Sequence, residues 1–120
     1  AINEKGTYLC TKFAIEKMPE GTIINISSSA AQVGSSDPIY AASKGAILSF
    51  TKAMAKAVGP KIRVNAVSPG PVETDMVKGY DPKRVEQLEE IAAGIYFLAS
   101  EDFSNITGAC LDISGGYVLR

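Results

Sequence analysis

A helix-length segment precedes each of three short apolar runs, and this alternation constrains the fold more than any other feature of the chain. Residues 1–18 carry Ile2, Tyr8, Leu9, Phe13 and Ile15 on a helical pattern that Pro19-Glu20-Gly21 stops. Residues 22–26, Thr-Ile-Ile-Asn-Ile, are short and β-branched and lie between Gly21 and a serine run, the pattern of a buried strand. A polar loop is predicted over 27–37. Asp37 and Pro38 then supply an N-cap and a first-turn proline for a helix running to Val58, where Gly59-Pro60 ends it. Residues 62–67 read as a second strand broken by Ser68-Pro69-Gly70-Pro71. Asp81 and Pro82 open a third helix with Leu88, Ile91, Ala92, Ile95 and Ala99 in helical register. Residues 109–113 form a third strand ended by Gly115-Gly116. Such alternation predicts an α/β fold with a parallel sheet and right-handed crossovers.

The length of 120 residues suits one domain. Three strands make a thin one, and the first would expose a flat apolar edge unless another strand paired with it. The first helix also has no N-cap signal. Both features predict that the sheet continues upstream of Ala1. The central helix carries two stripes: Ile47, Phe50, Met54 and Val58, expected to pack on the sheet, and Ala42, Ala46, Ser49 and Ala53, small enough to let another helix approach. That second helix could belong to the same chain or to a second subunit.

Composition narrows the function. Twelve basic against thirteen acidic residues give a net charge of −1, without the basic excess of a nucleic-acid binder. No apolar run approaches the ~18–20 residues of a membrane span, and the first residues do not read as a basic-then-apolar leader. Histidine is absent, which excludes Ser-His-Asp catalysis and histidine-based zinc sites. Cys10 and Cys110 belong to no Cys-x-x-Cys pair and sit among apolar neighbours. They read as reduced core thiols of a cytoplasmic protein, with no metal site.

Tyr40 and Lys44 are four residues apart at the start of the central helix, so they share one face. An ammonium beside a phenol favours the phenolate, and a phenol so tuned serves as general acid or base. Ser28 follows the first strand, where open α/β sheets place their ligands, and its hydroxyl suits a substrate oxygen. Ser27 and Ser29 flank it, so a register one residue off stays open.

The segments I-S-S-S-A-A-Q-V-G at 26–34, Y-A-A-S-K at 40–44 and R-V-N-A-V-S-P-G-P-V-E-T-D-M at 63–76 together resemble the classical short-chain dehydrogenase/reductase family. So do E-E-I-A-A-G-I-Y-F-L-A-S at 89–100 and I-T-G-A-C-L-D-I-S-G-G-Y at 106–117. The resemblance implies the carboxyl-terminal portion of a doubly wound, Rossmann-like fold and an NAD or NADP cofactor. By the same resemblance, Tyr40 exchanges the proton with the carbonyl oxygen. Lys44 tunes Tyr40 and bonds the nicotinamide ribose, Ser28 polarises the carbonyl, and Asn3 supports the proton relay. Pro69, Gly70, Val72 and Thr74 match the segment that passes the nicotinamide, and Asn65 is read as structural. The nearest members are 3-oxoacyl carrier-protein reductases and sugar or polyol dehydrogenases, which implies a small-molecule or acyl-carrier-bound carbonyl substrate and a homodimer or homotetramer.

Three departures stand out. The eleven glycines never fall as G-x-x-x-G-x-G, the family's cofactor-phosphate element. The stretch 77–82 is short where the family carries a substrate-covering loop. Ser114 replaces the family's common Asp before the glycine pair. Two readings follow: the catalytic portion of an oxidoreductase, or a non-enzymatic fragment or interaction module if the chain starts at Ala1. The choice between NAD and NADP stays open.

Overall fold

A computed structural model describes residues 2–70 and 82–118, with the side chains of Asn3 and residues 82–85 outside that description. The elements run α1 (Ile2–Lys17), β1 (Gly21–Ile26), α2 (Ala30–Val33), α3 (Pro38–Val58), β2 (Ile62–Pro69), α4 (Pro82–Ala99), a 3-10 turn (Glu101–Phe103) and β3 (Cys110–Ile113). The three strands form a parallel sheet in the order β1-β2-β3. The fold is thus α/β with a parallel sheet, as the alternation predicts.

Register assigns the two faces. Ile23 lies beside Val64, Asn25 beside Ala66, and Ala66 in turn beside Cys110. Side chains alternate along a strand, so these residues share one face. The helix α3 covers that face: Asn25 Nδ2 donates to Thr51 Oγ1 at 3.0 Å. Ile15 of α1 and Met18 just after it pack onto the core formed by Ala55, Ile62 and Val64. The opposite face, with Leu111 and Ile113, carries α4. A Cβ on Gly94 would stand 2.3 Å from Ile113 Cδ1, so α4 approaches the sheet where Gly94 has no side chain. Val64, Ala66 and Val67 of the central strand are fully buried. Burial on this scale is worth roughly 1.5–3 kcal/mol for each valine.

Several expectations need correction. The loop predicted over 27–37 contains the one-turn helix α2. The buried face of α3 is Ser43, Ile47, Thr51 and Ala55, which shares only Ile47 with the expected stripe of Ile47, Phe50, Met54 and Val58. Asn25 on the sheet is met by the Thr51 hydroxyl, so a threonine takes a place that hydrophobicity assigns to a larger side chain. Phe50 instead meets Tyr8 of α1, ring centroids 4.5 Å apart. Met54 and Val58 pack at the margin of the core. Ala42, Ser49 and Ala53 are exposed. Among the described side chains of α4, Leu98 is buried and Leu88 is exposed.

Neither cysteine is a core thiol: Cys10 is exposed and Cys110 is partly buried. Cys10 lines a groove of about 530 Å³ between α1 and the outer edge of β1, together with Ile23, Ile24 and Ile26. No described strand covers that edge. Among the described residues no helix is long and apolar enough to cross a membrane.

Candidate active site

Parallel pairing brings the carboxyl ends of β1 and β2 to one rim of the sheet, Ile26 beside Val67. The chain leaving β1 stays tied there. Ser27 N donates to Val67 O at 2.8 Å and Ser29 N to Pro69 O at 2.9 Å. Above this rim α3 begins. The Asp37 carboxylate accepts from Ile39 N at 3.0 Å and Tyr40 N at 3.1 Å, satisfying two amides that the helix itself leaves open. The cap fixes Tyr40 in the first turn. One turn further, Lys44 Nζ donates to Ile26 O at 3.3 Å and lies 5.8 Å from the Tyr40 ring centroid. Ser27 Oγ donates to Lys44 O at 2.8 Å, joining helix to strand below the two side chains.

The result is an open cleft of about 610 Å³ lined by Ser28, Tyr40, Lys44, Pro69, Gly70 and Tyr117 among others. Lys44 is its only charged lining residue among those described. The cleft therefore favours an oxygen that gains negative charge. Among the described residues no cluster of histidine, cysteine or carboxylate side chains could hold a metal ion.

The three serines differ. Ser27 and Ser29 are buried, and the Ser27 hydroxyl is engaged by Lys44 O. Ser28 is partly exposed, and its Oγ accepts from Ala30 N at 3.1 Å. That bond uses a lone pair and leaves the hydroxyl hydrogen able to turn into the cleft.

Gly70 is a glycine for a reason internal to the fold. A Cβ there would stand 2.8 Å from Ser114 Cα, and Gly70 N donates to Ile113 O at 2.9 Å. The lack of a side chain at Gly70 thus lets the end of β2 approach the chain's own backbone at Ser114. Asn65 is fully buried with both ends of its amide engaged: Nδ2 donates to Ile106 O at 2.9 Å and Oδ1 accepts from Ala109 N at 3.0 Å.

Sequence reasoning missed Tyr117. Ser114, the departure from the family's Asp, folds the turn that carries it: Ser114 O accepts from Tyr117 N at 3.2 Å and Ser114 Oγ from Val118 N at 3.1 Å. The glycine pair marks the turn, but no spacing rule brings a residue 77 positions after Tyr40 into the same cleft. Of the remaining expected site residues, the Asn3 side chain, Val72, Thr74 and the short stretch 77–81 lie outside the described residues.

A family model described as enoyl-(acyl carrier protein) reductase matches residues 1–118. The 3-oxoacyl-[acyl-carrier-protein] reductase FabG of Chlamydia muridarum is 43% identical over 114 residues, covering 83% of this chain and 46% of that protein. A short-chain dehydrogenase/reductase of the glucose/ribitol dehydrogenase type from Brucella melitensis superposes with a TM-score of 0.84 at 32% identity, over 99% of this chain and 53% of that one. A blue fluorescent protein from a metagenomic library, solved in complex with NADPH, superposes with a TM-score of 0.79 at 34% identity, over 98% and 54%. The chain belongs to the classical short-chain dehydrogenase/reductase family, a family of NAD(P)-dependent oxidoreductases. It spans about half the length of the relatives it matches.

Proposed function

We propose that this chain is the catalytic portion of an NAD(P)-dependent oxidoreductase that interconverts a carbonyl and a secondary alcohol. The supporting observation is the single cleft shared by Ser28, Tyr40 and Lys44 at the carboxyl rim of a parallel sheet. A nicotinamide cofactor, when bound, would supply or accept the hydride. Tyr40 donates its phenolic proton to the carbonyl oxygen in reduction and takes it back in oxidation. Ser28 donates a hydrogen bond to the same oxygen, which orients the carbonyl and stabilises the charge that develops there. Lys44 contributes its positive charge and bonds the nicotinamide ribose. Asn3 supports the proton relay, while Pro69, Gly70, Val72 and Thr74 form the strip that passes the nicotinamide.

The substrate favoured by the relatives is a 3-oxoacyl group on an acyl carrier protein, with sugar or polyol carbonyls as the alternative. The groove beside β1 would receive a further strand of the same domain, which would make residues 1–120 one partial domain with a short loop over 77–82. The working form is a cytoplasmic homodimer or homotetramer, and the exposed Ala42, Ser49 and Ala53 suit a close helix contact.

The test is to titrate the native polypeptide, purified at its natural length, with NADH and NADPH, and then to assay a 3-oxoacyl thioester against a panel of sugars. Saturable cofactor binding with turnover of the thioester is expected. Binding with turnover of sugars alone would transfer the assignment to the sugar dehydrogenases. Absence of cofactor binding would leave an interaction module as the reading.

A further inference from the structure

We infer that Gln32 and Asp112 form a positioning pair for Ser28, a role that rests on the proposed reading of Ser28 as the group that meets the carbonyl oxygen. Ser28 stands at the entrance to α2, which has only four residues. One turn of helix has no stability of its own, because nucleation fixes several backbone angles for a single hydrogen bond. Nor does its N-cap residue help: the Ser29 side chain makes no capping bond. The turn therefore depends on ties to the rest of the fold. At its entrance these are the backbone bonds of Ser27 and Ser29 to β2. At its far end, Gln32 Nε2 donates to Asp112 Oδ1 on β3, a bond that spans 80 positions of sequence.

Asp112 is itself held in place. It pairs in register with Ser68, and Cys110 Sγ lies 3.9 Å from Asp112 Oδ1 and 3.1 Å from Ser68 Oγ. Hydrogen bonds to a charged group are the stronger kind. The Gln32–Asp112 bond thus ties the far end of α2 to β3, the strand paired beside β2. Meanwhile the Ser28 Oγ is set by accepting from Ala30 N within the same turn. Releasing Gln32 frees the far end of α2, and with it the direction of the Ser28 hydroxyl. Neither Gln32 nor Asp112 lines the cleft, so both act through Ser28 and touch no reactant.

The experiment compares Gln32→Leu, Asp112→Asn and the reciprocal double variant Gln32→Glu/Asp112→Asn in the native polypeptide, with Ser28→Ala alongside. In the double variant an Asn amide donates to a Glu carboxylate, restoring a donor–acceptor pair with its charge. Gln32→Leu is expected to lower kcat roughly tenfold or more, the scale of a small misplacement of a catalytic group, with KM and NAD(P)H affinity unchanged. The double variant is expected to recover most of that loss, which general destabilisation would not allow. Equal kcat in Gln32→Leu and the unmodified protein overturns the pair's role, as does a double variant no better than Gln32→Leu. If Ser28→Ala itself keeps full turnover, the reading of Ser28 fails instead, whatever Gln32 does.

Discussion

The two ends of the sheet handle polar groups in opposite ways. At the amino end of β2, the buried Arg63 guanidinium donates to the carbonyls of Leu98, Ser100, Phe103 and Ile106, at 3.1 to 3.2 Å. Those bonds close the end of α4 and the turn that follows, supplying a donor to carbonyls that the helix itself leaves open. At the carboxyl end, Ser28, Tyr40 and Lys44 face an open cleft, and their heads have partners only in part. Polar groups that satisfy one another hold a fold together; polar groups anchored through the backbone but turned to solvent are available for chemistry. Arg63 and Lys44 are both cations beside strand ends, but only Lys44 lines the cleft at the carboxyl rim.

That contrast predicts different losses at the two ends. The largest should follow Lys44→Met, with kcat falling on the order of a thousandfold, about 4 kcal/mol, and weaker NAD(P)H binding by fluorescence titration, while the melting temperature holds. Arg63→Met should do the reverse. Leaving four carbonyls without their donor costs roughly 3 kcal/mol of stability in urea unfolding, and the folded fraction should retain its kcat. If Arg63→Met lost turnover while keeping its stability, the division between the two ends would collapse. Gly70→Ala should fall in between, because its Cβ meets backbone at Ser114. A cost of about 2 kcal/mol is expected, with a weakened cofactor site as the ends of β2 and β3 are forced apart. The smallest effect is assigned to Asp37→Ala, which removes the cap of α3 for about 1 kcal/mol. Its signature should be a modest drop in kcat, since Tyr40 sits in the turn that Asp37 fixes.

The order of the main strands and helices was readable in the sequence because Gly, Pro and Asp punctuate it at Gly21, Asp37-Pro38, Gly59-Pro60 and Gly115-Gly116. Periodicity failed where polar groups are buried in pairs. Asn25 with Thr51, and Ser27 with the backbone of Lys44, make part of the α3 contact polar, so a count of large apolar residues found Ile47, Met54 and Val58 but missed Ser43 and Thr51 and misplaced Phe50. One-turn elements such as α2 and the 3-10 turn at Glu101–Phe103 are too short to leave a periodic signal. Among the site residues, Tyr40 and Lys44 were legible from helical spacing and Ser28 from its place after a strand. Tyr117 was not, because only the fold joins it to the rim. Cys10 reads as core by its neighbours, yet it faces the groove beside the uncovered edge of β1.

The most direct test of the central claim, that the carboxyl rim carries the chemistry, is Tyr40→Phe in the native polypeptide. Turnover and NADPH affinity should be measured on the same preparation. Loss of one hydroxyl should remove proton transfer and cut kcat by roughly 10²–10⁴-fold, with cofactor affinity close to that of the unmodified protein. Turnover unchanged in Tyr40→Phe would contradict the account.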